Sequence, residues 1–318
     1  MARGLTWTIR GLLAIALVSA IAMLDPARIA DQITWYFLAG VVLAQVPFFL
    51  GIYVQGRRHI VLMGESRVEP RTAFKAMLIA ASLNYLVPGQ AAEITKASYV
   101  SSRSGVLLDV GVSATLLGRL LDLVAVSAAG VLAGLAMGGV GNTALLAATF
   151  LVLVTSVAVL PLVVRVVQAL FVRVGWARGA GFFGRLADTV KGQTSPRRIL
   201  SALVLSILAW ALFGLGLGVF LGIGSSVVLK PAEVTLLVAA LAFGAAVPIF
   251  PGALGTYEAA AVVALLQFGL TAEAAAVAAL GIRVCNVAAI LPVGLYIAHR
   301  EGVGFGHLFS GDRERGPG

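Results

Sequence analysis

Two places where a Pro-Gly pair and a glutamate interrupt an apolar run constrain this chain more than any other feature. The first is Leu86-Val87-Pro88-Gly89-Gln90-Ala91-Ala92-Glu93, and the second is Phe250-Pro251-Gly252-Ala253-Leu254-Gly255-Thr256-Tyr257-Glu258. Proline removes a backbone donor and glycine costs about 1 kcal/mol in a helix interior, so a helix running into either stretch should stop there. In the second stretch a new helix should begin near Thr256. Non-helical backbone at membrane depth survives only inside protein or beside a water-filled cavity, which makes such a break a natural wall for a substrate site. Taken singly, either stretch is equally a short polar turn between two ordinary spanning helices. Their common continuation argues otherwise. Pro88 is followed 31 residues later by Arg119, within Gly118-Arg119-Leu120-Leu121-Asp122, and Pro251 is followed 32 residues later by Arg283, within Gly281-Ile282-Arg283-Val284-Cys285-Asn286. Paired Gly/Pro interruptions at corresponding positions of two halves are the best sequence pointer to a transporter's binding site.

Composition agrees with a membrane setting. Of 318 residues 60% are hydrophobic and 12% charged, and the mean hydropathy of +1.00 leaves no stretch resembling a soluble domain. Cys285 is the single cysteine, so no internal disulfide can form. His59, His299 and His307 lie far apart. There is no metal-ligand spacing, no G-x-S-x-G and no P-loop, and neither a metal nor a cofactor is expected.

The order of apolar runs predicts an all-α polytopic membrane protein with six transmembrane helices and two re-entrant broken helical hairpins. Gly11 to Leu24 follows Arg10 and reads as a retained first helix, although Ala20-Ile21-Ala22 also resembles a signal-peptide cleavage site. Ile33 to Val54 returns across the membrane, and Gly56 to Arg71 reads as a polar loop. Ala73 to Val87, about 15 residues, is short for a crossing and forms half of the first hairpin. Leu107 to Met137 and Asn142 to Val164 are full crossings. Arg165 to Arg198 mixes basic residues with Phe171, Trp176, Phe182 and Phe183, as an interfacial amphipathic segment or a solvated basic loop would. Ile199 to Ile223 crosses again, Val234 to Leu270 is the second hairpin, and Ala272 to Ala298 is the last crossing. Residues 1–301 thus form one transmembrane domain, with repeats at about 1–137 and 143–298 and a disordered tail at 302–318.

With the N-terminus inside, 18 of the 23 Lys and Arg residues fall on the inner face, only Arg28 and Lys230 fall outside, and Lys96, Arg119 and Arg283 lie within the membrane. That bias places both termini in the cytoplasm. The net charge of +9 then faces anionic lipid headgroups, so no nucleic-acid partner is needed. In this topology the two halves are inverted and the hairpin tips should approach each other. Buried charges in membranes usually mark substrate or ion pathways. The alternative is that Glu93 and Glu258 simply pair with Arg119 and Arg283 to pin the repeats together.

These residues carry a resemblance. Pro251 to Glu258 with Arg283 and Pro292-Val293-Gly294, and upstream Asn84, Pro88-Gly89, Glu93 and Gly118 to Asp122, resemble the lysylphosphatidylglycerol synthase transmembrane, or flippase-like, family over nearly the whole chain. The resemblance implies a bacterial inner-membrane protein related to the flippase part of the multiple peptide resistance factor, among stand-alone members associated with hopanoids or glycolipids. It does not extend to a soluble aminoacyl-transfer domain, so lysine transfer is not expected. Gln90-Ala91-Ala92 departs from the family pattern, where a further glycine would precede the glutamate.

The expected function is therefore a lipid flippase or transporter, not an enzyme, moving an anionic or phosphate-bearing lipid such as a phospholipid, hopanoid or lipid-linked glycan. Arg119 and Arg283 would hold the headgroup, with the half-helix N-termini after Gly89 and Gly255 assisting. Glu93, Asp122 and Glu258 would orient the arginines or carry protons, and Lys96, one turn beyond Glu93, would reach interfacial water. Pro88, Gly89, Pro251, Gly252, Gly255, Thr256, Tyr257 and Asn286 complete the candidate binding residues. Three cations balance three carboxylates in this set, so a bound phosphate would free a carboxylate to take up a proton. The rival readings are a membrane enzyme using the three carboxylates on a lipid-linked substrate, and an accessory subunit of a lipid-modifying complex. Membrane lipids are the expected partners, with a second copy of the chain or a lipid-biosynthesis enzyme as further ones.

Overall fold

The structure is a computed structural model that describes residues 34–65, 67–86, 91–138, 141–246 and 250–303, for 141–146 the backbone alone. Every regular element among these residues is helical. In chain order they are α1 (Trp35–Met63), α2 (Pro70–Asn84), α3 (Ala91–Ser104), α4 (Leu108–Ala136), α5 (Gly141–Arg173), α6 (Ala177–Gln193), α7 (Pro196–Val219) with a π-helical continuation (Phe220–Gly224), α8 (Pro231–Ala246), a 3-10 turn (Pro251–Ala253), α9 (Thr256–Gln267) and α10 (Ala272–Arg300). The expected first crossing at Gly11 to Leu24, the tip residues Pro88 and Gly89, and the tail from residue 304 lie outside the described residues.

Helix starts follow local chemistry. Thr34 accepts the Phe37 N–H at 3.2 Å and Thr271 accepts the Ala274 N–H at 3.3 Å, so a threonine caps both α1 and α10. Pro70 and Pro196 open α2 and α7 after extended residues, where a missing N–H costs nothing. Among the described residues five helices are long and apolar enough to cross a membrane: α1, α4, most of α5, α7 with its π turn, and α10. A helix of 29 residues such as α4 rises about 43 Å at about 1.5 Å per residue, more than the roughly 30 Å hydrocarbon core. Their outer faces fit lipid rather than water. Only 6% of the apolar window of α5 is buried, and Val42, Leu151, Leu162 and Leu200 stand exposed.

Several boundaries differ from the sequence expectation. The polar loop expected from Gly56 begins only after Met63, because α1 runs on and buries Arg58, His59, Leu62 and Met63. The crossing expected to stop at Val164 continues to Arg173. The basic segment beyond it is helix α6, which packs Leu186, Ala187 and Val190 against Val164 of α5 and turns Arg178, Arg185 and Lys191 outward.

The core has two main centres. One gathers Leu62, Ile79, Leu83, Val100, Leu117 and Leu121 around α2, α3 and α4, and the other gathers Leu217, Phe220, Leu237, Leu265 and Ile282 around α7 to α10. The two are laced together crosswise: α2 of the first hairpin packs on α10, and α8 of the second packs on α4. Gly294 makes the first of these contacts possible, since a β-carbon there would lie 1.9 Å from Ser82 Oγ and 2.3 Å from Leu78 O. In that space the Ser82 hydroxyl donates to Ile290 O at 2.7 Å, tying α2 to α10.

Candidate functional site: a charged cavity between two broken hairpins

The second hairpin breaks where the sequence predicts. The chain leaves α8, passes through the turn at Pro251 to Ala253 and re-enters α9 at Thr256. Gly252, Ala253 and Gly255 all have positive φ, of 66°, 51° and 85°. For Ala253 that conformation costs roughly 1–2 kcal/mol, so the surroundings must hold it. Arg283 on α10 does so. Its Nη1 donates to Gly252 O at 2.9 Å, its Nη2 lies 3.5 Å from Ala253 O, and its Nε donates to Glu258 Oε1 at 2.5 Å. The guanidinium also stacks 4.4 Å from the Tyr257 ring centre. The other oxygen of Glu258 accepts the Gly255 N–H at 2.8 Å, so this carboxylate already occupies the positive end of α9 that was expected to help hold a headgroup. Thr256 Oγ donates to Ala253 O at 3.1 Å, and Asn286 Nδ2 donates to the Tyr257 hydroxyl at 2.7 Å.

The first hairpin repeats this design. Glu93 is the third residue of α3, as Glu258 is of α9, and it pairs with Arg119 on the next long helix, as Glu258 pairs with Arg283. The partners differ in access. The Arg119 side chain is 57% exposed and that of Arg283 only 13%, so Arg119 is open to a ligand while Arg283 is committed to the tip. Lys96 does not reach the interface: it is buried, with Nζ 2.5 Å from Glu93 Oε2. The cause is helical spacing, which stacks residues three apart on one face.

Asp122 behaves otherwise than expected, because it pairs with neither Arg119 nor Arg283. Its carboxylate is held by Arg58 of α1 and accepts the Trp210 Nε1–H at 2.8 Å, while Arg58 Nη1 lies 2.8 Å from Ser206 Oγ. Arg58, Ser206 and Trp210 escaped the sequence reading, as did His59 and Tyr85. Arg58 and His59 looked like loop residues in Gly56-Arg57-Arg58-His59. The one available signal was the apolar Ile60 to Met63 beyond them, which let the helix pattern continue.

A cavity of about 200 Å³ opens between the hairpins, lined by Arg58, His59, Glu93, Lys96, Arg119 and Asp122 from one side and Gly252, Tyr257 and Arg283 from the other. Tyr85 spans the gap, with Cδ1 3.0 Å from where a β-carbon of Gly252 would sit and its ring 5.9 Å from the Arg283 guanidinium carbon. The end of α2 thus touches the tip of the second hairpin. Of the remaining candidates, Glu258 stands behind Arg283, while Pro251, Gly255 and Thr256 shape the turn without lining the cavity. Asn286 lines an adjoining space of about 220 Å³ walled by Phe48, Ile52, Trp210, Phe213 and Leu241, and the two spaces share Gln55, Tyr85 and Tyr257. Among the described residues no three His, Cys, Asp or Glu side chains lie together as a metal would require.

The charge balance inferred from sequence also changes. With Arg58 added, four cations face three carboxylates, so the ionised site carries one positive charge rather than none. A single negative charge can enter without displacing a carboxylate, which removes the ground for coupling binding to proton uptake.

Comparison with curated proteins and with solved structures gives no match. The sequence profile described as the lysylphosphatidylglycerol synthase TM region matches residues 5–294, nearly the whole chain, and the protein therefore belongs to that family.

Proposed function

We propose that this protein is a lipid flippase that takes the headgroup of an anionic, phosphate-bearing lipid into the cavity between its hairpins and passes it across the bacterial inner membrane. The observation that carries this reading is the shape of the site. A charged space with excess positive charge adjoins an apolar one, as an amphiphile with an anionic head and an acyl tail requires. Arg119 is the accessible cation, and family membership supports a lipid-related role.

Six crossings in two inverted halves, with both termini in the cytoplasm, complete the proposal. The repeated Glu-Arg pairing and the crosswise packing of α2 on α10 and α8 on α4 favour it, since two related halves would make each contact twice. Membrane lipids are then the partners, and chemistry on the lipid is not part of the activity. The test is reconstitution into vesicles with phosphatidylglycerol labelled on an acyl chain, followed by quenching from outside. Wild type should raise the quenched fraction above the half expected for a static bilayer label, and mass spectrometry should find the lipid unchanged. Arg119→Gln should slow exchange about tenfold or more, the loss of one charge-assisted contact. A new lipid product would replace this reading with the enzyme one.

A further inference from the structure

A headgroup site in a membrane needs a way out for the tails. The charged cavity measures about 200 Å³ and the apolar space beside it about 220 Å³. Both fall below the roughly 300–1,000 Å³ of common ligand pockets, so neither encloses a head together with two acyl chains. A lipid crossing here must keep its tails in the bilayer while its head is inside, which requires a slot between two helices. One side of the molecule has such a slot. A third space, of about 710 Å³, runs between α4, α7 and α8, and Ile207, Leu215 and Ile223 in its lining are 49%, 57% and 38% exposed. Its floor is Gly214, Gly218 and Gly222, at every fourth position of α7 and its π turn. A β-carbon on any of the three would meet only Val234 or Val238 of α8, at 3.5 Å or more, so the space stays open along its length. The groove ends inward at Trp210 and Val238, and the same two residues line the small apolar space on the other side. Trp210 is fastened there. Its Nε1 donates to Asp122 at 2.8 Å, its ring stands edge-on to Phe213 with centres 5.5 Å apart, and Asp122 itself lines the charged cavity and holds Arg58.

We propose that the lipid enters and leaves sideways, between α7 and α8, with its tails in this groove, and that Trp210 is the gate between the groove and the headgroup cavity, latched by Asp122. This rests on the flippase reading and adds to it the route and the residue that opens it. Three spaces stand in series, and only Trp210 and Val238 part the outer one from the inner two. Swinging the indole aside breaks one hydrogen bond to a carboxylate and joins them into a passage from the bilayer to Arg119. An acyl tail is the occupant, because the groove is apolar, opens on the side of a helix long enough to span a membrane, and leads at its inner end to a charged site. Trp210 acts on the passage and not on the head, so it should decide which tails pass.

The test is the vesicle exchange assay with acyl-labelled phosphatidylglycerol, on the full chain in a Cys285→Ser background. Gly218→Cys with Val234→Cys places two thiols across the groove, since a β-carbon on Gly218 would lie 3.9 Å from Val234 Cγ2. A short bifunctional methanethiosulfonate then ties α7 to α8 until dithiothreitol releases it. Exchange should fall about tenfold or more when the helices are tied and return on reduction. Trp210→Ala tests the gate through a ratio rather than a rate. With one labelled chain and the other either straight or methyl-branched, wild type should move the straight lipid about fivefold or more faster, and Trp210→Ala should bring the two within about twofold. Lost stability alone would lower both rates and keep the ratio. Trp210→Phe, which keeps a ring without the latch, should fall between them and carries the test if Trp210→Ala does not fold. Unchanged exchange with α7 tied to α8 overturns the route, making the groove the seat of a resident lipid or of a second copy of the chain. An unchanged ratio overturns Trp210 as the gate. Both leave the flippase reading standing, whereas no exchange by wild type sinks that reading itself.

Discussion

Glu258 uses both of its oxygens to hold the second tip, one on Arg283 and one on the Gly255 N–H, whereas Glu93 gives both of its oxygens to cations. The two glutamates are alike in position and different in use. Tip two is consequently held from both sides of that carboxylate, and Gly252 is its tightest point. Its φ of 66° disfavours any side chain, and an added β-carbon would stand 3.0 Å from Tyr85 Cδ1 and 3.3 Å from Tyr85 Cα. Gly252→Ala should therefore destabilise the protein by about 1–2 kcal/mol from backbone strain alone, and push Tyr85 away from Arg283. Thermal unfolding in detergent measures this, and a midpoint equal to wild type would show that the tip is loose. Gly252 and Glu258 were legible in the sequence because helix breakers and a carboxylate stand out against an apolar run. Arg58 was not, since a buried arginine is betrayed only by its partner, and Asp122 lies 64 positions away.

Helix ends show the same limit at the next scale. Pro251 and Gly255 announced where α9 begins, but only the short apolar stretch Ile60 to Met63 hinted that α1 would outlast Arg57 and Arg58, because charge normally ends an apolar helix and here a partner on α4 removes that penalty. The cross-element tie at the end of α10 was equally hidden. Glu301 closes on both arms of the first hairpin, pairing with Lys75 of α2 and, at 2.8 Å, with Arg103 of α3. The hydrogen bond from Lys75 is the main reason that its carboxyl sits below the usual range, aided by Tyr99 and the charge of Arg103 and opposed by desolvation. A carboxyl with a depressed folded pKa stabilises fully above its unfolded value of about 4.3 and loses that contribution as pH falls through the folded value. The melting-temperature advantage of wild type over Glu301→Gln should thus be constant from about pH 7 to 5 and shrink below about pH 4. An advantage that persists unchanged into acid would mean that the carboxylate charge does not hold the tie.

For the whole molecule, the two Glu-Arg pairings were legible because they are written in spacing, 31 residues from Pro88 to Arg119 and 32 from Pro251 to Arg283, while the crosswise packing was not, because spacing says nothing about which helix a hairpin leans on. That packing sets the helix that carries each arginine against the other hairpin, while the arginine itself pairs with the glutamate of its own, and inversion of the halves is what would bring both tips to one cavity. Inversion has a consequence that labelling can read. If α5 crosses once and α6 lies along the inner surface, then the turn after α4 and the start of α7 must face opposite sides. Met137 is 43% exposed, Arg197 is exposed, and the native Cys285 is buried, so Cys285→Ser supplies a quiet background. In intact cells an impermeant thiol reagent should modify Met137→Cys, whereas Arg197→Cys should react only after the membrane is opened. The basic bias counted from the sequence predicts the same orientation, which would put Arg173, Arg178, Arg185, Lys191 and Arg197 beside anionic lipid. Modification of both positions from one side would place an even number of crossings between them, and the two hairpins could not then enter from opposite faces to share one headgroup site.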